Sequence, residues 1–289
     1  MTNQDHKKIN LNSFFHTRLL RSIFNYVSGD TIRPLTLVLI SVFLTISLSG
    51  KEVKINTAIK LASNQGMLSQ QIVKSYILIG AKVEIKSIHH ELDYCVATFE
   101  ENHYELEEFA PTEEIKESLD KVYNLWQEFR ILAVREPNKM DAYILLNRSE
   151  DLLRACTRVV NLLEEYSNLE VSKNVHAAGR LRILSQHIAM WYFAYYWGFP
   201  ESSILSFDIG QKYKSSIREY KKTFRKLAKS KHNTTEISDA LKILKSYWNL
   251  PNTKLSKMKK GEMSPKLINK SMDRIKAKLK DISFMYEQL

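Results

Sequence analysis

LLNRSEDLLRACTRVVNLLEEY (residues 145–166) places apolar side chains at every third or fourth position, from Leu145 and Leu146 through Leu152, Leu153, Cys156, Val159 and Val160 to Leu163. That spacing is one buried face of an α-helix, whose side chains return to the same side every 3.6 residues. The arrangement recurs in LINKSMDRIKAKLKDISFMYEQ (267–288), at an offset of 122 residues. LWQEF around Trp126 and SYWNL around Trp248 share that offset. Further upstream, GMLSQQI (66–72) matches RILSQHI (182–188) at an offset of 116. Self-similarity of this kind marks a repeated structural unit. Two units, 50–170 and 171–289, account for the chain after residue 49, the second holding about six more residues before its third helix.

The rest of the composition agrees with helices. Only 8 Gly and 6 Pro occur in 289 residues, 44% of them hydrophobic, and no run of period-two alternation bounded by turn pairs stands out. In the first unit the spacing predicts helices over about 52–79, 83–109, 112–136 and 140–170, with breaks at Gly80, Pro111 and Pro137. The TEEI stretch at Thr112 is a capping box, in which the hydroxyl binds a free amide of the first turn. In the second unit the breaks fall at Gly198–Pro200, near His232–Asn233, and from Pro251 to Pro265. The expected fold is all-α, two tandem four-helix up-down-up-down bundles. No Gly or Pro lies between Pro137 and Gly179, so one long continuous helix is expected to join the bundles end to end.

Residues 34–50, PLTLVLISVFLTISLSG, form the longest uncharged apolar run. Lys7, Lys8, Arg18, Arg21 and Arg33 precede it, and Ser47 and Ser49 sit where a cleavage site before Gly50 needs small residues. This reads as a signal peptide over 1–49, or as an uncleaved N-terminal membrane anchor. Either way the remainder is expected in the periplasm, free or tethered to the inner membrane.

Charge is divided unevenly. The net +11 arises from 5 Lys+Arg against 2 Asp+Glu in residues 1–49, 14 against 21 in 50–170, and 24 against 9 in 171–289. An exported chain meets little nucleic acid, so none is expected as a partner. The basic half suits a small anion, an acidic partner or a membrane surface, or is a solvated face with no partner.

AAGRLRILSQHIA (177–189) concentrates the unusual residues. On a helix, Val175, Ala178, Gly179, Arg182, Ser185, Gln186 and Ala189 share one broad face. Gly and Ala there allow another helix to approach closely. A guanidinium on such a face is costly without an anionic partner, and its planar fork suits a carboxylate or small oxyanion. Arg180 lies about 160° around the helix, toward solvent or a neighbouring acid.

The stretch NVHAAGRLRILSQHIA resembles the signature of PilJ-type sensor domains, found at the N-terminus of type IV pilus methyl-accepting chemotaxis transducers. It is also similar to the conserved patch of NarX-like nitrate/nitrite sensors. Asn174, Ala178, Gly179, Arg180, Arg182, Leu184, Ser185, Gln186 and Ala189 match in spacing. In the first unit, IKLASNQGMLSQQIVK keeps Ala62, Gln65, Met67, Leu68, Ser69, Gln70 and Lys74, with Ser63 in place of the glycine and Asn64 and Gly66 in place of the arginines. The resemblance implies periplasmic four-helix bundles that dimerise through their first helices, acting in signal transduction. It also implies an anion such as nitrate or nitrite held between paired helices by arginines of the motif. Carried over by position, the binding residues are Arg182 first, then Arg180, Gly179, Ser185 and Gln186. The first unit, without arginines, is expected to bind no anion in that manner.

No catalytic constellation, cofactor motif or metal-ligand spacing emerges. His89, His90, Asp93 and Cys95 crowd HHELDYC (89–95) without a companion motif. Cys95 and Cys156, the only cysteines, form a disulfide or remain two buried thiols. Trp126 and Trp248 are core anchors, and WYFAYYWGF (191–199) fills the core. The expected function is non-enzymatic, either an anion sensor relaying to a membrane signalling protein or a helical scaffold that has lost ligand sensing.

Overall fold

A computed structural model describes residues 33–83, 85–168, 172–199, 209–255 and 262–289, the side chains of 33–54, 85, 172, 250 and 253–255 excepted. Eight helices occur among them: α1 Arg33–Gly80, α2 Ile85–Phe109, α3 Glu113–Ala133, α4 Lys139–Ser167, α5 Ser172–Trp197, α6 Ile209–Ala228, α7 Thr235–Leu255 and α8 Pro265–Glu287. No strand is present among the described residues, so the chain is all-α. It divides into two compact units, Met1–Glu52 and Val53–Leu289. The leader reading falls on residues 1–49, of which 1–32 lie outside the described residues and 33–49 have no described side chains. No helix among the described residues is long and apolar enough to cross a membrane.

Helix ends follow local chemistry. Thr112 caps α3, its hydroxyl accepting from the Ile115 N–H at 3.3 Å, and Thr234 accepts equivalently from Ile237 at the start of α7. Pro265 opens α8 at a position whose N–H needs no partner. Gly198, at φ 73°, closes α5 in the left-handed region that glycine enters without strain.

Two expectations are corrected. The continuous helix between the halves is absent: α4 ends at Ser167, and Asn168 takes the left-handed conformation (φ 51°, ψ 22°) with its N–H bonded to the Glu164 carbonyl. Asn enters that region more readily than other side chains, so it stops the helix without a Gly or Pro. The break expected at Pro251 comes later, because α7 continues through that proline to Leu255. Pro251 is buried in the last turns, so the helix forgoes one hydrogen bond there without ending.

Within Val53–Leu289, α1 and α5 run side by side and parallel. Ser63 meets Gly179, Gly66 meets Ile183, and Gly80 meets Trp197. α4 crosses α1 in the opposite sense, with Gln70 Nε2 donating to the Ser149 carbonyl and the Tyr76 hydroxyl accepting from the Asn138 N–H. α8 relates to α5 similarly, through Gln186 Nε2 to the Met272 carbonyl and the Ser264 N–H to the Tyr192 hydroxyl. Buried apolar residues from all eight helices form one core cluster. Trp126 stacks on Phe99 and Trp248 on Tyr220, with centroids 3.9 and 4.1 Å apart. Trp191, Tyr192 and Phe193 are wholly buried.

Candidate functional site

The parallel pair α1/α5 is close because its contact residues are small. A Cβ on Gly179 would lie 3.0 Å from the Cβ and Oγ of Ser63. One turn on, Arg182 crosses from α5 onto α1. Its Nη2 donates to Asn64 Oδ1 at 3.0 Å and lies 3.5 Å from Met67 Sδ. Arg182 is only 8% exposed, its buried Nε has no partner, and among the described residues no carboxylate pairs with it. Burial pulls the guanidinium down to about 10, against the opposing pull of Glu287. A buried cation in this state lacks the counter-charge that normally offsets desolvation.

Arg182 opens onto a cleft of about 590 Å³ between α1, α2 and α8. Lys60, Lys276 and Lys280 bring further positive charge to its wall, with Asp281 and Glu287 opposing them. Glu287 is engaged by Lys60 at 3.2 Å. These lysines carry no signal in the α5 motif. They come from other helices, although Lys276 and Lys280 are spaced as neighbours on one helix face.

The other motif residues do different work. Arg180 pairs with Glu219 of α6 at 2.6 Å. The Ser185 hydroxyl donates to the Arg182 carbonyl at 2.7 Å, and Gln186 Nε2 donates to Ser185 Oγ and the Met272 carbonyl. Gly179 supplies close approach. Of the five residues carried over from the resemblance, Arg182 alone lines the cleft. In α1, a Cβ on Gly66, at the position matching Arg182, would meet Leu153 Cδ1 at 3.1 Å and Ile183 Cδ1 at 3.2 Å.

Two polar clusters flank the pair. Lys74, wholly buried, bridges Glu91 at 2.9 Å and Asp273 at 3.1 Å, tying α1 to α2 and α8. Burial opposes its charge, yet the two carboxylates hold its pKa above the ordinary lysine value. On the α5 side, Glu150 lies 2.7 Å from both His187 Nε2 and Lys212 Nζ. Burial would raise its carboxyl, but His187 and Lys212 outweigh that and hold it at about 2.

Cys95 and Cys156 are free, buried thiols, and burial pushes each up to about 12. His89, His90 and Asp93 are exposed while Cys95 is buried, so these four do not converge. Comparison with protein-family models, curated proteins and solved structures finds no match.

Proposed function

We propose that this chain is a non-enzymatic sensory module that binds a small planar anion, nitrate- or nitrite-like, at Arg182. The observation carrying the proposal is a buried guanidinium with an unpartnered Nε and no carboxylate paired to it, facing a cleft whose lysines outnumber its two carboxylates, although Lys60 and Lys276 already pair with Glu287 and Asp273. A planar oxyanion satisfies such a fork bidentately.

Matched details in the two halves support reading 50–170 and 171–289 as copies of one four-helix unit. Ser69 donates to the Gly66 carbonyl as Ser185 does to that of Arg182. The Tyr76 and Tyr192 hydroxyls each accept the N–H just before a fourth helix. The copies meet through their first helices, α1 and α5, the contact that the PilJ/NarX resemblance implies between two separate chains. In this reading one chain makes that pairing internally, and anion occupancy alters the α1/α5 contact sensed by a membrane partner. Export to the periplasm, with residues 1–49 as leader or anchor, belongs to the same proposal.

A second reading, a scaffold without ligand, draws on Gly66. A side chain there would crowd Leu153 and Ile183, which disfavours the second arginine of a symmetric site. Calorimetric titration with nitrate, nitrite and formate separates the two. The sensor reading expects saturable binding of at least one anion, weakened about thirtyfold or more by Arg182→Ala, the scale of removing one partner of a desolvated charge pair. Absence of binding to wild-type protein favours the scaffold.

A further inference from the structure

A second cavity, of about 720 Å³, opens between α6 and α7, away from Arg182. Its volume is that of a small-ligand site. The stacked rings of Tyr220 and Trp248 line it together with Phe224 and Leu241. Five exposed cations, Lys221, Arg225, Lys229, Lys242 and Lys245, also line it. Lys242 is paired with Asp239 at 2.8 Å. Among the described residues the other four form no ion pair.

The aromatic lining is chemically incomplete. Tyr220 and Trp248 are 2% and 8% exposed, and the Tyr220 hydroxyl and Trp248 Nε1 are buried without any hydrogen-bond partner. Leaving such donors unsatisfied is costly, and an indole N–H can only donate. The first half contains the completed version. There Trp126 stacks on Phe99 and its Nε1 donates to Glu100 Oε1 at 3.4 Å, the carboxylate itself paired with Arg130 at 3.0 Å. The residue after Phe99 is Glu100, whereas the residue after Tyr220 is Lys221. The carboxylate that satisfies the first tryptophan is thus replaced by a cation beside the second.

We propose that the α6/α7 groove binds an amphiphilic monocarboxylate, an acyl or aryl body ending in one carboxylate. The carboxylate takes the place that Glu100 fills in the first half, accepting from Trp248 Nε1 and paired with Lys221, while the apolar body lies along Phe224 and Leu241. Two donors set among buried aromatic side chains suit the end of a slender ligand. The unpaired cations supply charge complementarity.

The test is calorimetric titration of the full chain with decanoate, decanol and decyltrimethylammonium. Saturable binding of decanoate, at least tenfold tighter than of the other two, is expected. Lys221→Glu, at an exposed position, supplies the missing carboxylate internally. It should raise the melting temperature while weakening decanoate at least tenfold. Trp248→Phe keeps the ring and removes only the N–H, so it should weaken decanoate at least fivefold and leave decanol unchanged. Absence of saturable decanoate binding overturns the proposal, as does wild-type affinity in both variants. Binding of an acidic amphipathic peptide in place of decanoate also overturns it, making the groove a protein-docking surface.

Discussion

Gly179 and Ser63 sit so close that a single methyl on the glycine would press to 3.0 Å from the serine side chain. This contact sets how near α5 comes to α1, and hence how far Arg182 reaches across to Asn64. Gly179→Val should destabilise the fold by about 1–3 kcal/mol through overpacking. Adding Ser63→Gly should recover part of that loss. Denaturant unfolding of the two single variants and the double checks this, and purely additive effects would mean that the residues do not share a contact.

Lys74 has no exposed surface and joins three helices through Glu91 and Asp273. Lys74→Ala leaves two carboxylates facing one another and should cost about 3–5 kcal/mol, as for other broken buried pairs. Lys74→Met, with Glu91→Gln, Asp273→Asn and Lys276→Met added, should recover most of that, because the whole charge cluster, including the Lys276–Asp273 pair at 3.3 Å, is then removed. Chemical denaturation of the variants at neutral pH measures both.

Acid should loosen the α4–α5–α6 corner. The folded pKa of Glu150 is about 2 against an ordinary value of 4.5, so the folded state binds fewer protons than the unfolded one in that interval. Its stabilisation is present above about pH 4.5 and fades as pH falls toward 2, by on the order of 2–3 kcal/mol. Glu150→Gln should flatten the stability–pH curve in that window while lowering stability at pH 7. Melting curves from pH 7 to 2.5 test it, and an unchanged slope would contradict it.

The two thiols should be inert in the folded protein, since burial keeps both protonated at pH 8. Reaction with an aromatic disulfide reagent should proceed at the unfolding rate, then release two equivalents at once in denaturant. A non-reducing mass two hydrogens lighter would show a disulfide instead.

Much of this architecture is legible in the sequence, because its helix signals are local. Thr112 and Gly198 mark ends by local chemistry that acts within one turn, and Trp126 and Trp248, matched in sequence spacing, each stack on an aromatic ring. Arg182 stands out because a cation among small residues contradicts its own helix face. What escapes is non-local. Asn168 stops α4 through a backbone conformation that many asparagines do not adopt. Lys60, Lys276 and Lys280 join Arg182 only because α1 and α8 pass it in space. Glu219, which claims Arg180, lies 39 residues away. The side-by-side packing of the halves has no local signature, since α1 and α5 each carry apolar residues around most of the helix.

In the sensor reading proposed above, Arg182 is held at a cost to stability because an anion completes it. Thermal unfolding of wild type and Arg182→Met, with and without nitrate or nitrite at constant ionic strength, tests this most directly. Methionine fills similar space without the uncompensated charge, so without anion the variant should melt at or above the wild-type temperature. Added anion should then raise the wild-type melting temperature in a saturable way, by mass action on the folded state, and leave the variant unmoved. A variant that melts well below wild type, together with a wild-type melting temperature indifferent to these anions, would mean that Arg182 serves stability and that none of these anions completes it.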